Sequence, residues 1–223
     1  MSAPHPGWSD IQATLFDLDG TLVHTPIDFP AMKQAVLEAT VAEGFDAGSF
    51  QGLDVLGIIA EAARRLKDPS EFRKRTDKIL QDIEVEAAHR GVEAAGAGET
   101  LSWLMRHGIR VGIVTRNCPE AVAITLSRTP LPHHVLVTRS DTPHVKPHPE
   151  HLWLALRMLE RRPEHALMIG DHPMDILGGI AAGMRTAGIV AQGRTADAFA
   201  DPQPDILLFE LPELRRWISP SSL

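Results

Sequence analysis

Ala13-Thr14-Leu15-Phe16-Asp17-Leu18-Asp19-Gly20-Thr21-Leu22 is an apolar run that stops on two carboxylates, a glycine and a threonine. The run predicts a buried strand, and its abrupt end predicts a tip that faces a crevice. Side chains alternate along a strand, so Asp17 and Asp19 leave the same face, about 7 Å apart along the chain. Two like charges that close call for a cation between them, or for a proton that gives the two acids different jobs. Gly20 permits a sharp backbone departure, and Thr21 adds a hydroxyl and an amide beside the pair. An acidic surface turn would use the same residue types, but the apolar run before Asp17 favours a strand end.

Further short, β-branched segments recur downstream: Ile109 to Thr115, His134 to Thr138, Ala166 to Gly170, Thr186 to Ala191 and Asp205 to Phe209. Helix-length amphipathic stretches lie between them, at Glu99 to His107, Pro149 to Leu159 and Met174 to Ala182, the first and last stopping at Gly108 and Gly183. Strands alternating with helices predict a doubly wound α/β fold, a Rossmann-like parallel sheet whose ligands sit beyond the carboxyl ends of the strands. From about His24 to Gly91 no strand is predicted. There Phe29, Met32, Val36 and Ala39, then Ile58, Ala62 and Leu66, then Phe72, Ile79 and Ile83 fall at helical spacing. Pro30 and Pro69 suit first turns, and Gly44 and Gly91 suit ends. The expected organisation is a sheet domain of residues 1–23 and 92–223, interrupted by a three-helix insertion of residues 24–91. Both linkers of that insertion should emerge beside the crevice, which favours a lid over a packing or dimerisation module.

The 223 residues, 43% of them hydrophobic and 23% charged, describe an ordinary globular protein with one main domain and room for an insertion. A net charge of −7 argues against a nucleic-acid surface, which needs a basic face to displace counterions. Small phosphorylated partners need only local positive charge. The single cysteine, Cys118, has no internal disulfide partner and points to a reducing, cytoplasmic setting. Met1 to Trp8 shows no basic region followed by an apolar run, and no stretch approaches the roughly 18 apolar residues of a membrane helix.

Three further strand or helix ends carry chemistry. Ile113-Val114-Thr115-Arg116-Asn117 offers the Thr115 hydroxyl and exposed amides that suit a phosphate oxygen, with Asn117 expected as an N-cap paired with Glu120. Val145-Lys146-Pro147-His148-Pro149 holds Lys146 off helical geometry, where a loop lysine is either solvated or set to neutralise a carboxylate and a phosphate. Met168-Ile169-Gly170-Asp171-His172-Pro173-Met174-Asp175 brings Asp171 to a strand end and Asp175 to the first helical turn, where the dipole alone would also favour an acid. Oxygen ligands of this kind suit Mg²⁺. His144, His148 and His151 lie at suggestive spacing for zinc, but they flank a Pro-rich loop without a cysteine and are expected to be exposed polar side chains. Arg64, Arg65 and Lys67 could meet an anionic substrate, although a solvated helix face is the expected reading.

Taken together, these four motifs resemble the haloacid dehalogenase-like superfamily, and the insertion resembles that superfamily's helical C1 cap. The likeness is closest to the phosphoglycolate phosphatase-like branch. It implies a Mg²⁺-dependent phosphatase acting on a small phosphorylated metabolite, phosphoglycolate-like or a sugar phosphate. Asp17 would then be the nucleophile that forms an aspartyl-phosphate, and Asp19 the general acid and base. Thr115 and Lys146 would hold the phosphate, with Arg116 beside them as an extra charge without an assigned role. Asp17, the Asp19 carbonyl, Asp171 and Asp175 would hold the metal. A carboxylate is a poor nucleophile toward a phosphate until that charge is neutralised, which Mg²⁺ and Lys146 supply. Alternatives are a phosphomutase of the β-phosphoglucomutase type, a signalling receiver-like domain and a non-catalytic phosphate-binding protein on the same fold. The receiver fits poorly, because its phospho-acceptor follows the third strand, where this chain has Val137-Thr138-Arg139. Monomer and homodimer are both compatible with the sequence.

Overall fold

The computed structural model describes residues 8–190 and 195–218. In chain order its elements are β1 (Ala13–Phe16), β2 (Val23–His24), α1 (Phe29–Ala42), α2 (Val55–Arg65), α3 (Ser70–Ala88), β3 (Val92–Glu93), α4 (Ala97–Arg106) and β4 (Arg110–Val114). There follow α5 (Pro119–Arg128), β5 (Val135–Val137), α6 (Glu150–Leu159), β6 (Ala166–Gly170), α7 (Pro173–Ala182), β7 (Arg185–Ile189) and β8 (Ile206–Leu208). The predicted strand at Thr186 to Ala191 is β7, and Ala191 lies outside the described residues, as do Met1 to Gly7.

Six strands form one sheet in the order β5-β4-β1-β6-β7-β8, with every pairing parallel. Strand β1 is central, and its alternation splits its side chains between two cores. Ala13 and Leu15 join Val114, Met168, Leu152, Leu156 and Leu159 on one face. Phe16 joins Leu101, Leu104, Ile113, Leu167 and Ile169 on the other. Both faces are therefore apolar, which is why β1 reads as a continuous run rather than as an alternating one. Each such side chain fully withdrawn from water contributes roughly 1.5–3 kcal/mol before conformational entropy is subtracted. The chain leaves β1 toward β4 and β5 and then returns across it to β6, β7 and β8, so β1 sits where the winding reverses direction. Ligand sites of doubly wound sheets lie at that reversal.

Pro26–Arg90 is a compact unit of its own, and the rest of the described chain is another. The unit's core contains Met32, Val36, Phe50, Ile58, Ala62, Phe72 and Leu80. Three expectations for this region fail. Phe29, placed on the apolar face of α1, is 55% exposed, because it is the first residue of the helix and lies before the buried stripe begins at Met32. A short antiparallel ladder also pairs Val23 with Glu93 and His24 with Val92, so the segment from His24 is not strand-free. Two residues are too few to show a period, which hid both strands. Pro69 is the residue before α3 rather than part of its first turn. Among the described residues no helix is long and apolar enough to cross a membrane.

Candidate active site

The register aligns three strand ends. Phe16 pairs with Ile113 on one side and Ile169 on the other, so Asp17 directly follows β1 while Thr115 and Asp171 lie one step further along their own chains. The Asp17 amide donates to the Ile169 carbonyl at 2.9 Å and the Thr115 amide to the Val137 carbonyl at 2.9 Å, extending the ladders past the strands and fixing where those side chains start.

Lys146, on the segment between β5 and α6, is 1% exposed, and its Nζ lies 2.6 Å from Asp17 Oδ1 and 2.7 Å from Asp175 Oδ1. It is not the solvated lysine that a loop position normally carries. An ammonium taken out of water this completely is tolerated only when carboxylates surround it. Burial alone would lower its pKa, but Asp17 and Asp175 outweigh that and raise it, so Lys146 is a fixed positive charge. Asp17, Asp171 and Asp175 each offer an oxygen within 4.8 Å of the others. Burial pushes the Asp17 carboxyl well above the carboxylate range, against the pull of Lys146, and Asp175, Asp171 and Asp19 push it further. Three carboxylates against one ammonium leave an excess of negative charge in a nearly dry place, and an added cation relieves it.

Two glycines make the cluster possible. At Gly20, φ is +90°, and a Cβ there would lie 2.5 Å from Asp171 Oδ2. A Cβ on Gly170 would fall on the Asp175 carboxylate itself. Asp175 has two duties. Its Oδ2 accepts from the His172 amide at 3.1 Å, closing the capping box of α7, while Oδ1 meets Lys146. Asp175 thus opens the helix and also belongs to the carboxylate cluster. Thr21 Oγ1 donates to Asp171 Oδ1 at 3.2 Å.

Asp19 stands apart from the carboxylate cluster. Its Oδ2 accepts from Thr115 Oγ1 at 3.3 Å and from Asn117 Nδ2 at 3.1 Å, while its buried Oδ1 has no hydrogen-bond partner among the described residues. Burial raises the Asp19 carboxyl, and its polar neighbours Thr25, Asn117 and Thr115 oppose the shift. Its metal role in the sequence reading, through the backbone carbonyl, does not involve this side chain.

Asn117 is a correction. The N-cap of α5 is Cys118, and Asn117 instead reaches Asp19, with its own Oδ1 accepting from the Cys118 amide at 3.0 Å. Pro119 fixes the start of α5 one residue later than an Asn117 cap requires. Arg116 packs its guanidinium on Met174 Sδ, and its carbonyl accepts from Arg139 Nη1 at 2.9 Å.

His151 is a second correction. It is 0% exposed rather than solvated, and Nδ1 accepts the Lys146 amide at 3.3 Å while Nε2 meets the Thr138 carbonyl at 3.1 Å. Those partners require the neutral Nε2–H tautomer. Burial, with help from Lys146, lowers its pKa to about 4. His151 therefore holds the backbone of the residue that carries the buried ammonium. The signal for it was the spacing from Lys146 in the first turn of α6, obscured by the exposed histidines nearby. Arg64 and Arg65 in α2 both bind Glu61, the solvated arrangement expected of them.

Residues 14–189 match the family model for haloacid dehalogenase-like hydrolases. The chain is 32% identical to pyrophosphatase PpaX of Bacillus cereus (strain G9842) over 214 residues, 92% of this chain and 94% of that protein. It is 30% identical to PpaX of Bacillus anthracis over 211 residues, with the same coverage, 92% and 94%. A hydrolase from Pseudomonas syringae superposes with a TM-score of 0.72 at 21% identity, covering 93% of this chain and 100% of that one. An HAD family hydrolase from Deinococcus radiodurans R1, solved with bound phosphate and sodium, superposes with a TM-score of 0.64 at 24% identity over 96% of this chain and 100% of that one. At these identities the structural likeness speaks for the fold.

Proposed function

The chain belongs to the haloacid dehalogenase-like hydrolase family, and from that premise we propose that it is a divalent-metal-dependent phosphatase of small phosphorylated compounds, with Asp17 as nucleophile and Asp19 as general acid and base. The observation that carries the reading is the separation of the two acids. Asp17 is paired with a buried ammonium inside a carboxylate cluster. Asp19 is turned toward Thr115 and Asn117 with one oxygen unengaged among the described residues.

In this reading an Asp17 oxygen attacks phosphorus in line, the bond from phosphorus to the leaving oxygen breaks, and Asp19 delivers a proton to that oxygen. Water then attacks the phosphorus of the aspartyl-phosphate, Asp19 takes its proton, and Asp17 is released with free phosphate. Asp17 is tied to the Lys146 ammonium as the attacking carboxylate, while Asp19 is bound to Thr115 and Asn117 and raised by burial, which suits it to begin as the acid, so two similar groups acquire separate tasks. Lys146 holds Asp17 in one orientation and keeps positive charge beside the phosphoryl group. Thr115 is positioned to donate to a phosphate oxygen once it yields Asp19.

The negative excess around Asp17, Asp171 and Asp175 fits a hard cation with oxygen ligands, and we assign it Mg²⁺. Those carboxylates, with the Asp19 carbonyl, would hold the ion, which supplies neutralisation of the phosphate charge. We assign residues 24–91 the role of a C1 cap that selects the substrate and controls water, on their insertion directly after the β1 end. The single cysteine supports a reducing, cytoplasmic setting.

The relatives named pyrophosphatase favour a second reading in which the leaving group is inorganic phosphate rather than an alcohol. A panel of pyrophosphate, phosphoglycolate, hexose phosphates and an aryl phosphate, assayed for free phosphate with and without Mg²⁺, separates the readings. Isomerised hexose phosphate without phosphate release would indicate a mutase. Asp17→Asn should lower turnover of the aryl phosphate by roughly 10³-fold or more while far-UV circular dichroism is unchanged. Turnover close to wild type would sink the mechanism.

A further inference from the structure

The segment that delivers Lys146 also carries two imidazoles and a carboxylate that the proposed chemistry does not use. His144 and His148 stand two residues before and after Lys146, and Glu150 opens α6. Their side chains are 63%, 50% and 34% exposed. His144 Nδ1 lies 2.9 Å and His148 Nδ1 3.9 Å from the same Glu150 Oε2, and the two rings sit with centroids 4.6 Å apart. One ligand atom from each of the three residues lies within 4.8 Å of the others.

We propose that His144, His148 and Glu150 form a second cation site, for a divalent late transition ion of the zinc or nickel class, on the loop that delivers Lys146. Two nitrogens and an oxygen bound to a tetrahedral ion at about 2.0–2.2 Å stand roughly 3.4 Å apart, so the three groups need to close by about 1 Å. Exposed rings close that gap by rotation, without moving the core. The backbone is already set. His148 donates its amide to the Val145 carbonyl at 2.9 Å and Thr142 Oγ1 donates to the His144 carbonyl at 2.9 Å, while the Glu150 amide donates to His148 Nδ1 at 3.3 Å, a long hydrogen bond that an ion on that nitrogen would replace. His151 does not belong to the set, since both of its nitrogens are engaged inside the protein. The third donor is the Glu150 carboxylate, and no cysteine is required.

Donor chemistry separates this site from the carboxylate cluster. Imidazole nitrogen favours zinc, nickel, cobalt and copper over magnesium, whereas three carboxylates and a carbonyl favour magnesium. An ion bound at the outer site would fix both ends of the Lys146–Pro147 step, whose lysine touches Asp17 and Asp175. The outer site would then restrain the inner one through the loop they share.

The test uses the full chain with excess Mg²⁺ present, so that inner oxygen ligands are taken. Titration with Co²⁺, followed by its visible d–d absorption, should show one equivalent bound with nitrogen ligation, and calorimetry with Zn²⁺ should give the same stoichiometry. His144→Ala combined with His148→Ala should abolish both signals and leave circular dichroism unchanged. Asp171→Asn, which disables the inner cluster, should leave them intact. Absence of Co²⁺ and Zn²⁺ binding in the presence of Mg²⁺, binding undiminished in the double variant, or binding lost in Asp171→Asn would each overturn the site. None of these readouts depends on phosphatase turnover.

Discussion

Within the sheet unit, Lys146, Asp171, Asp175 and His151 are all 5% exposed or less: Lys146 meets Asp175, Asp171 accepts from the Thr21 hydroxyl, and His151 accepts from the Lys146 amide. In Pro26–Arg90 most of the ion pairs are surface pairs along single helices, Lys74 with Glu71, Lys78 with Asp82, and Arg64 and Arg65 with Glu61, while Arg75 reaches Glu43 from α3 and Glu84 is the buried acid. Surface pairs of this kind gain little, because water already solvates both partners and salt screens them. Buried charges are costly, so a fold that keeps them does so for a use other than stability. The contrast supports placing the proposed site in the sheet unit, and it makes opposite demands on substitutions in the two units.

Lys146→Met should produce the largest effect. It leaves Asp17 and Asp175 without their cation, and breaking a buried pair from one side costs about 3 kcal/mol. Urea unfolding in the absence of divalent ions checks the loss. Added Mg²⁺ should restore more stability to the variant than to the wild type, since it becomes the main source of positive charge in the cluster. If the variant unfolds at the wild-type urea concentration, Lys146 belongs with the surface pairs and the contrast fails.

His151 sharpens the comparison through pH. In the unfolded chain its imidazole takes a proton near 6.5, whereas the folded chain resists until about 4. The unfolded state therefore binds more protons between those values, and stability present above pH 6.5 is lost as pH falls toward 4, by at most about 3 kcal/mol. His151→Gln cannot titrate there and keeps a donor and an acceptor for Thr138 and Lys146. Its stability should fall less steeply over that window. Lys146 and Arg116, which also lower this pKa, and Asp141, which raises it, are unchanged in the variant, so the difference in slope reports His151. Equal slopes would mean that the buried histidine is protonated in the native protein.

How much of this was legible in the sequence follows the same division. Asp17, Thr115 and Asp171 could be read because each ends an apolar run, and a strand shows where its tip points. Lys146 could be read because Pro147 keeps it off a helix. The contact that sets Asp19 apart was not legible, since Asn117 to Asp19 spans 98 residues, and neither was the Thr21 to Asp171 contact, which spans 150. Sequence spacing carries no information about partners brought together only by the sheet. Asn117 shows the trap, since its position beside Pro119 and Glu120 satisfies a local capping rule that the fold overrides. In the helical unit the period gave α1 and α2 well. In α3 the fully buried line is Phe72, Thr76, Leu80 and Glu84, while Ile79 and Ile83 are half-buried beside it. A threonine and a glutamate on the inner line weaken an apolar pattern that depends on hydrophobicity alone.

Asn117→Ala asks for a smaller effect. The variant removes one of two donors to Asp19 Oδ2 and leaves the carboxylate cluster intact. Turnover should fall roughly tenfold, about 1.4 kcal/mol, through loosened placement of the acid. With a donor to its charged form gone, Asp19 should titrate higher, so the descending limb of kcat against pH moves to higher pH. KM should change less than kcat. A drop confined to KM would assign Asn117 to substrate binding instead.

Glu61→Ala should do nothing measurable to stability, and that outcome is the other half of the contrast. Glu61 accepts from Arg64 and Arg65, with Oε1 2.6 Å from the Arg65 guanidinium, and by geometry it is the best-connected surface acid in the helical unit. Arg64 is 71% exposed, so removal of its partner returns it to water rather than stranding it. Alanine is also the better helix former. Arg65 keeps a second contact, stacking over the Phe50 ring at 5.3 Å, which does not depend on Glu61. Melting curves at low and high salt should therefore superpose for variant and wild type. A clear loss at low salt that disappears at high salt would show that α2 relies on this pair, and the two units would then differ in the depth of their charges but not in their dependence on them.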